Sequence, residues 1–180
     1  MSKKIDITPS ADLLYSLRRT GYKWHEAVLD IVDNSVDALK QRHLKTGKDD
    51  GFVKLKFTKQ KSQSSKNVCG SIIIADNGIG IDASGLREIL RMGQSFKRGT
   101  DALGTFGMGL KTAGMALGNK ITVVSRTSRK AKLRAAVWDI SECVITGKFE
   151  ADYYEKASAG HVNIFKKYVG DKSGTLVMIE

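Results

Sequence analysis

The stretch Asp30-Ile31-Val32-Asp33-Asn34-Ser35-Val36-Asp37-Ala38 sits inside a helical pattern, and its reading decides the fold. On a helix advancing by about 100° per residue, Glu26, Asp30, Asp33, Asn34 and Asp37 share one arc. Val28, Ile31, Val32, Val36 and Leu39 cover the other side. An amphipathic surface helix with an acidic face accounts for part of this. The polar arc, however, carries no Lys before Lys40, and a row of unneutralised acids repels itself unless a cation sits there. Magnesium takes oxygen ligands and keeps several waters, which suits one carboxamide flanked by carboxylates.

Two glycine-rich turns follow. Asp76-Asn77-Gly78-Ile79-Gly80 ends the apolar run Ile72-Ile73-Ile74. Asn-Gly is a common hairpin signal, but here the turn leads from a buried strand into a helix. A carboxylate at a strand end can accept the exocyclic amino proton of adenine, and glycines let a base approach the backbone. Gly104-Thr105-Phe106-Gly107-Met108-Gly109-Leu110-Lys111-Thr112 opens another helix, where backbone N–H groups can cradle phosphates and Lys111 adds charge. It is not a Walker A loop, and the glycine spacing does not fit a dinucleotide fold.

Around these motifs the chain reads as follows. Helices are expected over residues 11–19, 24–43, 83–92 and 107–117. Strands are expected over 52–57, 70–75, 121–125, 133–139, 144–149 and 175–179. Residues 59–67 read as a mobile loop, and 93–103 as part of a flexible lid. Helices and mainly antiparallel strands in one unit imply a two-layer α/β (α+β) sandwich. No repeat or interdomain linker interrupts residues 1–180, so one domain is expected.

Thirty Lys plus Arg against nineteen Asp plus Glu give a net charge of +11, with mild concentrations at 54–66, 87–98 and 126–134. A surplus of this size attracts polyanions such as nucleotides or nucleic acid, or else forms a solvated surface. No apolar stretch approaches the roughly 20 residues that span a bilayer. The start lacks the apolar core of a secretory signal, so an intracellular setting, cytoplasmic or nuclear, without membrane partners, is expected. Cys69 and Cys143 read as buried free thiols, and His25, His43 and His161 lack metal-ligand spacing.

The order of the three motifs resembles the ATP-binding domain of the GHKL superfamily, named for gyrase, the large heat-shock chaperones, histidine kinases and MutL. Residues 30–38 match the N box, 76–80 the first glycine box and 104–111 the second. Ser173-Gly174-Thr175-Leu176-Val177 matches the Gly-Thr strand that closes the adenine pocket. Leu17-Arg18-Arg19-Thr20-Gly21-Tyr22-Lys23-Trp24, Asp33-Asn34-Ser35 and Gly109-Leu110-Lys111-Thr112 are similar to MORC-type ATPases. The resemblance implies the Bergerat fold, a mixed, mostly antiparallel sheet covered on one face by helices. It implies ATP and Mg2+ as cofactors, with Asn34 on the metal and Asp76 on the adenine amino group, helped by Thr175 through water. Gly78 and Gly80 would line the base. A lid over residues 93–106 would lead into Gly104, Gly107, Met108, Gly109, Leu110 and Lys111 over the phosphates. Asp37 would be chiefly structural.

The chain departs from the pattern at Asp30, where hydrolysing members carry Glu to orient and deprotonate water. Asp is one methylene shorter, and a displacement of roughly 1 Å can cost about a hundredfold. Glu26, one turn earlier, is a candidate substitute. The sequence ends five residues after Thr175, so no transducer module with its phosphate-contacting Lys is expected. The implied function is Mg-ATP binding with slow hydrolysis. It would act as a nucleotide-dependent conformational switch that dimerises and is directed to DNA. The alternatives are a histidine-type protein kinase domain, and a basic adaptor whose glycine turns are only structural.

Overall fold

The computed structural model describes residues 13–18, 23–61, 67–91 and 109–180. The elements, in chain order, are α1 (Leu13–Arg18), α2 (Trp24–Thr46), β1 (Val53–Lys61), β2 (Asn67–Asp76), α3 (Ala83–Glu88) and α4 (Gly109–Leu117). They continue with β3 (Lys120–Arg126), β4 (Arg134–Asp139), α5 (Ile140–Thr146), β5 (Asp152–Tyr154), α6 (Ala159–Tyr168) and β6 (Gly174–Ile179). The strands form one sheet in the order β1-β2-β6-β3-β4-β5. Every neighbouring pair is antiparallel. The final strand is thus inserted between two earlier pairs, β1-β2 and β3-β4. Its run Thr175-Leu176-Val177-Met178-Ile179 is apolar beyond its first residue because side chains on both faces of a central strand are covered.

The period of two in each strand sorts the core into two layers. Ile72, Ile74, Ile121, Val123, Val177 and Ile179 face α1, α2, α3 and α4, whose Leu14, Val28, Ile31, Leu86 and Ala113 complete that layer. The expected two-layer sandwich is therefore present. One further helix occupies the other face: α6 packs Phe165 against Ile73, Ala75, Val124 and Leu176. Complete burial of a Phe contributes about 2–3 kcal/mol, enough to hold a short helix there.

Three local expectations are corrected. Residues 144–149 were expected to be a strand, but 144–146 are the end of α5 and 147–149 form no strand. Asp139 caps that helix by accepting the Ser141 and Glu142 amides, and Gly147 ends it in the left-handed region at φ 71. The expected loop 59–67 is shorter than its polar composition implies, because β1 runs to Lys61 and β2 starts at Asn67. Cross-strand pairing with β2 overrides the weak strand propensity of Lys and Gln there. Cys143 is buried as expected, but Cys69 is exposed. Residues 93–106, the expected lid, lie outside the described residues. Among the described residues, no helix is long and apolar enough to cross a membrane.

Candidate functional site

On the helix-covered face of the sheet, the apolar rows end in a polar one. Asp76 of β2 is in register with Thr175 of β6, which is in register with Ser125 of β3. All three are buried. The Gly78 amide donates to Asp76 Oδ1 at 2.8 Å. The Ser35 hydroxyl and the Thr175 amide also donate to this carboxylate. A carboxylate offers about four acceptor directions, so three donors leave room for one more. Burial pushes the Asp76 carboxyl up to about 6, outweighing the pull of these donors.

The first glycine turn is pressed between two elements. A Cβ on Gly78 would stand 2.7 Å from Ala38 Cβ, and one on Gly80 would stand 2.0 Å from the Arg126 carbonyl oxygen. Gly80 also has φ 70, a left-handed conformation that favours glycine. The Ile79 amide donates to the Ala38 carbonyl at 3.3 Å. The glycines therefore let α2 and β3 close on the turn, a role additional to the base approach expected from sequence. Asn77, fully buried, ties the same turn to the preceding loop: its Oδ1 accepts the Phe52 amide at 2.8 Å and its Nδ2 donates to the Asp50 carbonyl at 2.9 Å.

Asp50 anchors this corner, paired with Arg42 of α2 and with Lys172 just before β6. Hydrogen bonds from Lys172 and Arg42 hold its carboxyl down at about 2, against an ordinary 3.8. A depressed carboxyl stabilises the fold above its unfolded value, and that contribution fades as pH falls from about 3.8 through about 2. Asp50→Asn is expected to flatten the loss of thermal stability across that window, as a melting series in acid would record.

Helix α2 turns its motif residues in two directions. Ser35 points inward to Asp76, whereas Asn34 is exposed, its Nδ2 donating to the Asp30 carbonyl at 3.0 Å. That leaves the Asn34 carbonyl oxygen as the outward ligand atom. Asp30 Oδ2 lies 3.9 Å from the position a Cβ on Gly109 would take. The acid of the first motif thus stands beside the first residue of α4. The acidic arc is partly neutralised, contrary to expectation: Lys23 lies 3.9 Å from Glu26, and Lys40 lies 4.0 Å from Asp37. Glu26 also accepts the Lys23 amide at 3.2 Å, which commits it to the start of the helix.

On α4, Leu110 is buried and Lys111 is only 1% exposed. Burial lowers the Lys111 ammonium pKa, with the nearby negative charge of Glu88 opposing the shift. Gly104, Gly107 and Met108 lie outside the described residues. Among the described residues, no group of three or more His, Cys, Asp or Glu could hold a metal alone. This donor set fits an ion that arrives with its own oxygen ligands, to which Asn34 adds one. The base end likewise fits a ligand with an N–H donor, since buried acceptors dominate it.

Two residues of this site carry no signature of their own in the sequence: Ser35, inside the first motif, and Ser125, outside all of them.

Residues 22–175 match the family described as Histidine kinase-, DNA gyrase B-, and HSP90-like ATPase. The chain is 31% identical to Protein MICRORCHIDIA 1 of Arabidopsis thaliana over 114 residues, which is 63% of this chain and 16% of that protein. It is 29% identical to Protein MICRORCHIDIA 6 of the same plant over 149 residues, covering 78% of this chain and 21% of that protein. The chain therefore spans about a fifth or less of the length of these relatives. The site's three motifs sit where that family match runs, and the match takes in most of the sequence. The chain belongs to the histidine kinase-, DNA gyrase B- and HSP90-like ATPase family.

Proposed function

We propose that this domain binds Mg-ATP between α2 and the two glycine turns and hydrolyses it slowly. The observation that carries the proposal is the meeting of distant segments around α2. Ser35 holds Asp76 of the first turn, while Asp30 stands beside Gly109 of the second. Asp76 accepts an N–H of the adenine amino group, with Thr175 beside it on the next strand. Gly78 and Gly80 shape the turn under the base. Asn34 gives its carbonyl oxygen to the metal. The N-terminus of α4, at Gly109 and Leu110, and the Lys111 charge offset the negative phosphates. When bound, Mg-ATP supplies the phosphoanhydride and the positive charge that polarises it.

Asp30 is the water-directed carboxylate: it takes a proton from the water that attacks the terminal phosphorus, as the bond to ADP breaks. Its shorter reach keeps turnover slow. Asp30→Glu is expected to raise the single-turnover rate by tenfold or more, and Asp30→Asn to abolish it, with ATP affinity changed only a few-fold in both. Phosphate release from the three proteins measures this, and equal rates would remove Asp30 from the role. The same proposal includes nucleotide-dependent dimerisation and DNA as the outside partner. The net charge of +11 supports a polyanion there, and a salt series of DNA binding with and without ATP tests it.

A further inference from the structure

Ser125 closes the polar row at the end of the sheet and is wholly buried. Its Oγ accepts the Ile81 amide at 2.8 Å and donates to the Gly174 carbonyl at 2.8 Å. It also lies 3.0 Å from Thr175 Oγ1. A serine hydroxyl has one proton and two lone pairs. A carbonyl can only accept, so the Ser125 proton is committed to Gly174, and one of its lone pairs to Ile81. The third contact must then have Ser125 accepting. Thr175 consequently gives its only hydroxyl proton to Ser125, and keeps nothing but lone pairs for whatever enters beside Asp76.

We propose that Ser125 is a positioning residue that fixes Thr175 as a pure acceptor, so that the base end selects purines bearing an amino group over those bearing a carbonyl there. This rests on the nucleotide reading of Asp76 given above. Asp76 and Thr175, on neighbouring strands, then form a pair of acceptors. An amino group has two N–H bonds and satisfies such a pair, directly or through one water that donates to Thr175. A carbonyl oxygen in that position meets lone pairs on both sides and leaves buried acceptors unsatisfied. With Ser125 absent, the Thr175 hydroxyl would be able to rotate and donate to the carbonyl, and half of the penalty would vanish. The discrimination thus depends on a residue that touches no ligand.

The test is calorimetric titration of ATP and of inosine triphosphate, which carries the carbonyl, into wild type, Ser125→Ala, Thr175→Val and the double variant. Ser125→Ala is expected to narrow the preference for ATP by about tenfold, the worth of one hydrogen bond, mainly through tighter binding of inosine triphosphate. In the Thr175→Val background, Ser125→Ala should change the preference no further, because its effect passes through the threonine hydroxyl. Should the alanine variant fail to fold, Ser125→Cys, nearly isosteric and with a weak S–H donor, is expected to narrow the preference in the same direction. An unchanged ratio, or an equal loss for both nucleotides, overturns the positioning role and leaves the ATP reading standing. Absence of ATP binding by the wild type overturns both.

Discussion

Asp76→Asn is expected to weaken ATP binding by roughly a hundredfold, since a hydrogen bond to an ionised group is worth about 1.5–3 kcal/mol and the new amide turns a donor toward a donor. The same substitution is expected to leave the protein folded near neutral pH, because relief of the charge cost offsets the one donor, of the three on Asp76, that an amide oxygen cannot accept. The Asp76 carboxyl titrates at about 6 in the folded chain, against 3.8 without its surroundings. A carboxyl raised by folding is least costly below its unfolded value. Its cost grows as pH climbs from 3.8 through about 6 and is complete above that, reaching about 3 kcal/mol for a shift of this size. The uncharged asparagine avoids that cost. The variant's melting temperature relative to wild type should therefore fall as pH falls toward 4. Wild-type ATP affinity should itself decline below a pH of about 6, as the acceptor becomes protonated. An Asp76→Asn protein with unchanged ATP affinity would detach this residue from the base.

Gly174→Ala is expected to cost about 3–5 kcal/mol, a large part of the 5–15 kcal/mol that typically holds a domain together. Gly174 has φ 150, and its added Cβ would lie 2.1 Å from the Asp76 carbonyl oxygen and 3.0 Å from Asn77 Cα. Neither is the movable end of a side chain. Strands β2 and β6 would have to part where they place Asp76 and Thr175, so the surviving folded fraction should also bind ATP poorly. Gly147 is the internal control. It too has positive φ, at 71, but nothing lies within 4 Å of its added Cβ, so alanine there should cost only about 1 kcal/mol. Urea denaturation midpoints of the two variants compare the cases. Equal midpoints would mean that the close approach of β2 and β6 is not as described.

The contrast between what the sequence disclosed and what it withheld has physical reasons. Helix α2 was legible because its apolar and acidic residues recur at helical spacing, and β2 because Ile72-Ile73-Ile74 runs unbroken into a turn signal. The carboxylates and glycines of the candidate site were legible because their chemistry is tied to short local spacings. Helix α5 was misread as a strand: Val144 and Ile145 favour strands, whereas the cap at Asp139, with Glu142 three residues on, decides for helix. Helix α6 was not assigned, although Ser158 caps it and Val162, Phe165 and Val169 recur at helical spacing toward the second core layer. Ser125 could not have been found from spacing. A lone serine at a strand end gains its role from β6, whose Gly174 and Thr175 are about fifty residues away. Ser35 lies within the first motif, but its partner Asp76 comes from another element, and local pattern is silent about such pairings.

The most direct measurement is a crystal structure of the protein with magnesium and a non-hydrolysable ATP analogue. The account predicts one nucleotide, its amino group on the Asp76 carboxylate and its metal ion on the Asn34 carbonyl oxygen, with the terminal phosphate beside Asp30 and the start of α4. A nucleotide that reaches only one of Asp76 and Asn34, or that lies elsewhere on the surface, would contradict it.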